Sequence, residues 1–224
     1  MPLGVECHIH KANGSHATPL LLTEGDLPFR RSAMASKETL QGKRIAILAT
    51  EGFEEVELTK PKDALEEAGA TIEVVSLKSG SIKAWDMTDW GKTVDVDIAL
   101  EDARPESYDA LVLPGGVMNP DKLRMDKAAV SFVKSFFNSG KPVGAICHAS
   151  WTLIEADVVR GKTLTSWPSL QTDLRNAGAK WVDEEVVEDG GLITSRKPDD
   201  LKAFNAKLIE VFSRTGSQPL RKAS

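Results

Sequence analysis

The sequence predicts an α/β protein with a doubly wound, mostly parallel sheet sandwiched by helices, and three observations carry that prediction. The runs 44–49, 110–113 and 142–146 are apolar almost throughout, as strands covered on both faces are. Helix-length segments with glycine just past their ends separate such runs. Strand and helix patterns alternate from Lys43 onward, which implies right-handed crossovers between parallel strands.

The elements follow in order. A strand over 44–49 leads, after a turn at Gly52, to a helix over about 56–68 closed by Gly69; Pro61 inside it predicts a kink or an early first turn. A second strand covers 71–77. Residues 80–100, with Gly80, Gly91 and alternating Val94, Val96 and Ile98, read as a small hairpin excursion. The strand 110–113 stops at Pro114-Gly115-Gly116, and a helix over about 126–138 is closed by Gly140. The next strand runs into Cys147, and a helix follows at once. A short strand near 163–165, a helix over about 169–176, strands near 180–188 and 191–195 and a helix over about 198–212 complete the pattern.

Residues 1–42 show neither strand nor helix periodicity and are expected to form a poorly structured extension. Residues 43–213 are expected to form the domain, and 214–224 a mobile tail. Met34-Ala35-Ser36-Lys37 would serve as an ordinary protein start, so residues 1–33 are expected to be an upstream addition or an early start. Cys7-His8-x-His10 looks like a fragment of a metal site, but the spacing matches no closed zinc module, and no metal or other cofactor is expected.

A hydrophobic share of 41% with 27% charged residues is that of a soluble globular chain. The formal net charge of -5, with no basic tract, argues against a nucleic-acid partner. No apolar run is long enough to span a bilayer, and Pro19-Leu20-Leu21-Leu22 is too short for a signal-peptide core. Two cysteines make no disulfide framework and fit a reducing compartment, so a cytoplasmic location is expected.

The chemistry centres on Cys147. In Ala145-x-Cys147-x-Ala149, small residues flank a nucleophile between strand and helix, a pattern that permits a sharp turn with the central side chain exposed. The following helix N-terminus would favour thiolate, the reactive form. An inert core thiol is the alternative. His148 is equally readable as a proton-transfer group or as a turn residue whose ring points away from its neighbour. Gly115 and Gly116 can bring backbone N–H groups to a substrate and, with the N–H of His148, make an oxyanion hole; by themselves they are as readily a tight turn. Glu57, behind Glu54 and Glu55, is most simply a solvated acid favoured by the helix dipole. Buried beside a thiol, it would have a raised pKa and could move a proton. Ligands in open α/β sheets bind beyond the carboxyl ends of the strands, which is where the loops carrying these residues lie.

Five segments in order resemble the ThiJ/PfpI family: 49–58, 110–116, 142–148, 183–187 and 194–201. The resemblance covers 43 to about 212 and implies a flavodoxin-like fold of the class I glutamine amidotransferase-like type. It implies that Cys147 is the elbow nucleophile, that Glu57 contacts its sulfur, and that Gly116 and His148 supply the oxyanion donors. Gly115, Glu54 and Trp167 are expected in the pocket. Asp121 resembles the acid that a neighbouring subunit offers to His148, so a homodimer or larger homo-oligomer is implied. Ala149-Ser150 replaces the family's usual Gly-Pro, and Trp167 stands where some protease-type members have tyrosine. No histidine follows His148, so the amidotransferase triad is absent. The implied function is a cysteine-dependent stress-response enzyme acting on small carbonyl compounds, glycated proteins or peptides, of the glyoxalase III, deglycase or peptidase type. The alternative is a redox sensor or chaperone built on an oxidisable Cys147.

Overall fold

The computed structural model describes residues 39–214. The expectations for Cys7, His8 and His10, for the extension up to residue 38 and for the tail after Arg214 lie outside them. The elements in chain order are β1 (Arg44–Leu48), α1 (Glu55–Glu67), β2 (Thr71–Ser76), β3 (Gly80–Asp86), β4 (Asp89–Val96), β5 (Ile98–Ala99), β6 (Ala110–Leu113), α2 (Met118–Met125), α3 (Lys127–Asn138), β7 (Val143–Ile146), α4 (Ser150–Glu155), β8 (Thr163–Leu164), α5 (Gln171–Asn176), β9 (Lys180–Trp181), β10 (Val186–Asp189), β11 (Leu192–Ser195) and α6 (Leu201–Arg214).

The apolar runs become the centre of a seven-stranded sheet ordered β10-β11-β7-β6-β1-β2-β5. Every pairing in it is parallel except that of β10 with β11. Alternation along each strand divides the core. Ile45, Ile47, Ala110 and Val112 face Leu58 and Leu65 of α1 and Phe204 and Leu208 of α6. Ala46, Leu48, Leu111 and Leu113 face Phe132, Val133 and Phe136 of α3 and Leu153 of α4. Both faces are therefore covered, which is why these strands carry no polar side. From β1 the chain goes one way to β2 and β5, then returns to the other side through β6 and β7. That reversal opens a crevice at the carboxyl ends of β1, β6 and β7, where such folds bind ligands.

Four details differ from the expectations. Helix α2 stands where the sequence reading places no element; Pro120 falls in its first turn, where the missing N–H costs nothing. Asp126 then caps α3, accepting from the N–H groups of Ala128 and Ala129 at 2.8 and 2.9 Å. The ordered domain starts before residue 43: Leu40 is fully buried against the α1 and α6 side of the core, and its N–H donates to Ala68. Pro61 lies within α1 without ending it. The strand near 180–188 is two pieces, with β9 pairing β8 in a separate small sheet.

The hairpin β3–β4 is a separate antiparallel sheet, as expected. Its anchors come from the acidic stretch after β1. Glu51 accepts the N–H of Lys83 at 3.0 Å, Glu55 that of Lys92 at 2.7 Å, and Glu54 that of Met87 at 3.4 Å. The hairpin tip is thereby held over the carboxyl end of β1.

Gly144 of β7 lets α6 pack directly on the sheet: a Cβ there would collide with Leu208 Cδ2 and lie 3.3 Å from Phe204 Cζ. Gly144→Ala is expected to lower stability by about 1–3 kcal/mol without changing the fold. In a double-mutant cycle with Leu208→Ala, measured by urea unfolding, the two costs should fall short of their sum, because the smaller partner makes room for the methyl group.

Candidate active site

The local backbone at Cys147 is what places its sulfur. Strand β7 ends at Ile146, and Cys147 has φ 61°, in the left-handed region that residues with a Cβ rarely enter. Such a conformation costs about 1–3 kcal/mol and persists because its surroundings fix it. Here the Cys147 carbonyl accepts the N–H of Trp167 at 3.2 Å, and Ala149 and Ser150 are buried beneath the turn. The sharp turn allowed by flanking small residues is therefore present. Contrary to expectation, the turn is a short 3-10 segment over Cys147–Ala149, followed by a helix of six residues. Its dipole is correspondingly small, and the thiol is buried rather than exposed.

Glu57 lies under this turn. The solvated-cap reading is overturned, because Glu57 has no exposed surface. Its Oε2 accepts the N–H of Gly115 at 2.9 Å, while Oε1 has no hydrogen-bond partner among the described residues. Burial pushes the carboxyl up to about 8, against the pull of the Gly115 N–H. At neutral pH Glu57 thus keeps its proton beneath the Cys147 sulfur. Burial also pushes the thiol up, as does a charged Glu57; the N–H groups of His148 and Gly116 pull it back. With Glu57 protonated, its repulsion of the thiolate is gone.

Gly115 and Gly116 have separate uses. A Cβ on Gly115 would lie 2.6 Å from Glu57 Oε2 and 2.7 Å from Cys147 Cβ. Gly115 is therefore the layer between the carboxyl and the cysteine; it does not line the pocket as expected, and its N–H is already committed. Gly116 has φ 77° and turns its N–H toward the sulfur. Asn119, fully buried, ties this loop to the one after β1: it accepts the Thr50 N–H at 2.7 Å and donates to the Pro114 carbonyl at 2.8 Å. The sequence carries no signal for that tether.

The ring of His148 turns back toward its neighbour, with Nδ1 3.1 Å from Cys147 Sγ. Two indoles hold it there: Trp167 stacks at 5.8 Å and 24°, and Trp151 packs at 5.1 Å and 58°. Trp151 is itself fixed by donating to Asp173 at 3.1 Å. Burial lowers the pKa of the imidazole, so it is neutral at pH 7 and can accept the thiol proton at Nδ1.

These groups open into one cavity of about 560 Å³. Glu54, Glu57, Gly116, Cys147, His148 and Trp167 line it, as do Trp85, Met87 and Trp90 of the hairpin. Asp121 does not: it is exposed on α2, and the described residues give His148 no acidic partner. The hairpin residues were missed because they lie thirty residues from Glu54 and sixty from Cys147, with no local pattern linking them.

The buried carboxyl makes folding depend on pH in a defined direction. A carboxyl displaced upward from 4.5 to about 8 contributes stability that is complete below pH 4.5 and is lost as pH rises through 8. Glu57→Gln removes that loss. Its stability relative to the wild type should therefore rise between pH 5 and pH 8 by an amount on the order of a few kcal/mol, read from urea midpoints. A difference that stays flat across this range would show that Glu57 ionises normally.

The family model described as the DJ-1/PfpI family matches residues 43–211. A deglycase of Pyrococcus abyssi is 44% identical over 168 residues, covering 75% of this chain and 98% of its own length. Protein/nucleic acid deglycase 2 of Escherichia coli is 44% identical over 170 residues, covering 75% of this chain and 97% of its own. Among solved structures, DJ-1beta of Drosophila melanogaster superposes with a TM-score of 0.71 at 30% identity, covering 77% of this chain and 91% of that one. Sequence similarity over three quarters of the chain and the match of the family model place it: the chain belongs to the DJ-1/PfpI family.

Proposed function

We propose that the chain is a cysteine-dependent enzyme acting on reactive carbonyl compounds or on their adducts with proteins. The observation that carries this reading is the convergence of three groups on one cavity. The Cys147 sulfur lies within reach of a neutral imidazole, a protonated carboxyl and two backbone N–H groups. The relatives named deglycases support it, and YraA of Bacillus subtilis, 42% identical, is provisionally assigned by name to the cysteine proteases.

The attack step follows from the geometry. His148 Nδ1 takes the thiol proton, Sγ bonds to the aldehyde carbon, and the carbonyl π pair moves onto oxygen. The N–H groups of Gly116 and His148 hold that oxygen until His148 returns the proton to it, which leaves a hydroxyl, a neutral imidazole and Glu57 still protonated. With a 2-oxoaldehyde the product is a hemithioacetal. The neutral His148 takes the C1 proton and returns it to C2 while the C1 hydroxyl proton passes to the C2 oxygen; water then cleaves the resulting thioester of the hydroxy acid to the free acid and the thiol. Nothing in the sequence asks for a cofactor.

The free Nε2 side of His148 leaves a place for an acid from a second copy of the chain. Asp121, exposed on α2, fits that role in a homodimer or larger ring, in the cytoplasm. Asp121→Asn should lower kcat about tenfold or more with the oligomer intact by sedimentation. Full activity in the variant would remove Asp121 from the mechanism.

Methylglyoxal and a methylglyoxal-modified peptide, followed by lactate release, provide the test of the reading. Cys147→Ser should lose at least ~10³-fold in kcat/KM. Equal activity in both proteins would eliminate the covalent route. Peroxide treatment separates the second reading, a redox sensor, which draws on the same protonated Glu57 as donor to an oxidised sulfur. Selective oxidation at Cys147 with no turnover of either substrate would favour sensing.

A further inference from the structure

The cavity has room beyond the reacting carbonyl itself. A three-carbon aldehyde at Cys147 would leave most of the 560 Å³ to water, whereas cavities of that size ordinarily enclose ligands with several rings or chains. Its mouth is lined largely by apolar side chains. Among the described residues, the large apolar side chains most open to solvent are Met87 (69% exposed), Trp90 (45%), Val117 (55%), Trp167 (38%) and Met125. All but Met125 line this one cavity. Exposed apolar area on this scale, gathered at one opening, marks a binding surface.

The hairpin side of the opening is rigid. Trp85 and Trp90 meet edge to face at 5.6 Å and 81°. Trp85 donates from Nε1 to the Met87 carbonyl at 3.1 Å, and its backbone N–H to Phe53 at 2.7 Å. Glu55 holds Lys92 beneath, so the rings do not need to be ordered by a ligand. The charge pattern narrows the ligand further. No lysine or arginine lines the cavity, and its two acids, Glu54 and Glu57, both have pKa values raised by burial. Lys83 stands outside the lining, its Nζ 5.8 Å from the centre of the Trp90 ring, so a carboxylate or phosphate inside the cavity would meet no lysine or arginine of the lining.

We propose that the Trp85–Trp90 hairpin and Met87 form a subsite for a neutral aromatic or bulky apolar group attached to the reacting carbonyl. The preferred substrates would be aryl- or alkyl-substituted 2-oxoaldehydes and adducts flanked by apolar side chains, rather than methylglyoxal or anionic keto acids. This rests on Cys147 being the reacting atom, but not on turnover.

Affinity labelling of Cys147 keeps those two apart. The probes are iodoacetamide, N-benzyliodoacetamide and its 4-carboxybenzyl analogue, with labelling located by peptide mass mapping and glutathione as the reference thiol. The expected result is a benzyl-to-unsubstituted rate ratio at least tenfold above that of glutathione, with saturation in the benzyl probe and no such gain for the carboxylated one. In Trp90→Ala and in Met87→Ser the ratio should fall several-fold toward the glutathione value. A ratio equal to that of glutathione in the wild type would overturn the subsite. So would a high ratio that neither variant moves, including the case in which Trp90→Ala instead dissociates an oligomer, which would assign the rim to a subunit contact. Absence of lactate release with intact labelling selectivity would count against the enzymatic reading alone.

Discussion

A carboxyl group held without water beneath a cysteine is the constraint on which the rest of the site depends. Glu57 has one backbone donor and no exposed surface, so it stays protonated to about pH 8 and presents a proton where a thiolate would form. That arrangement tolerates no side chain between acid and sulfur, which is why Gly115 occupies the layer between them. It also needs the cysteine to be turned down from the strand end, which is what the left-handed backbone at Cys147 achieves. The strain there, the buried acid and the glycine are parts of one compromise between stability and chemistry.

No long helix dipole acts on the Cys147 sulfur. Burial works against the thiolate, and a short 3-10 turn offers little compensation. What offsets it is local: two N–H groups, a neutral carboxyl in place of a charged one, and an imidazole 3.1 Å away. The indoles of Trp151 and Trp167 add nothing to the charge balance directly, but they keep the imidazole at that distance and dry.

The acidic stretch after β1 shows how one short segment serves both fold and site. Glu51, Glu54 and Glu55 accept backbone N–H groups of the hairpin, and Glu57 serves the cysteine. Since the hairpin tip supplies one wall of the cavity, the same few residues that start α1 set both the chemistry at its base and the apolar surface at its mouth.

The order of strands and helices, the hairpin, the elbow at Cys147 and the gathering of three loops at the strand ends were all legible in the sequence. Strand burial and helix closure leave periodic and glycine signals, and a parallel sheet brings its carboxyl ends to one edge. Helix α2 was missed around Pro120, which a first helical turn tolerates. Beyond such local ambiguities, the sequence by itself determined the fold and put Cys147 at the turn after β7. Only the tertiary structure decided that Glu57 is buried rather than solvated, that the His148 ring turns toward the sulfur, that Gly115 is a spacer and that Trp85, Met87 and Trp90 wall the cavity. The reason is physical: protonation, ring orientation and pocket shape depend on which distant groups exclude water from a side chain, and that exclusion has no local signature along the chain.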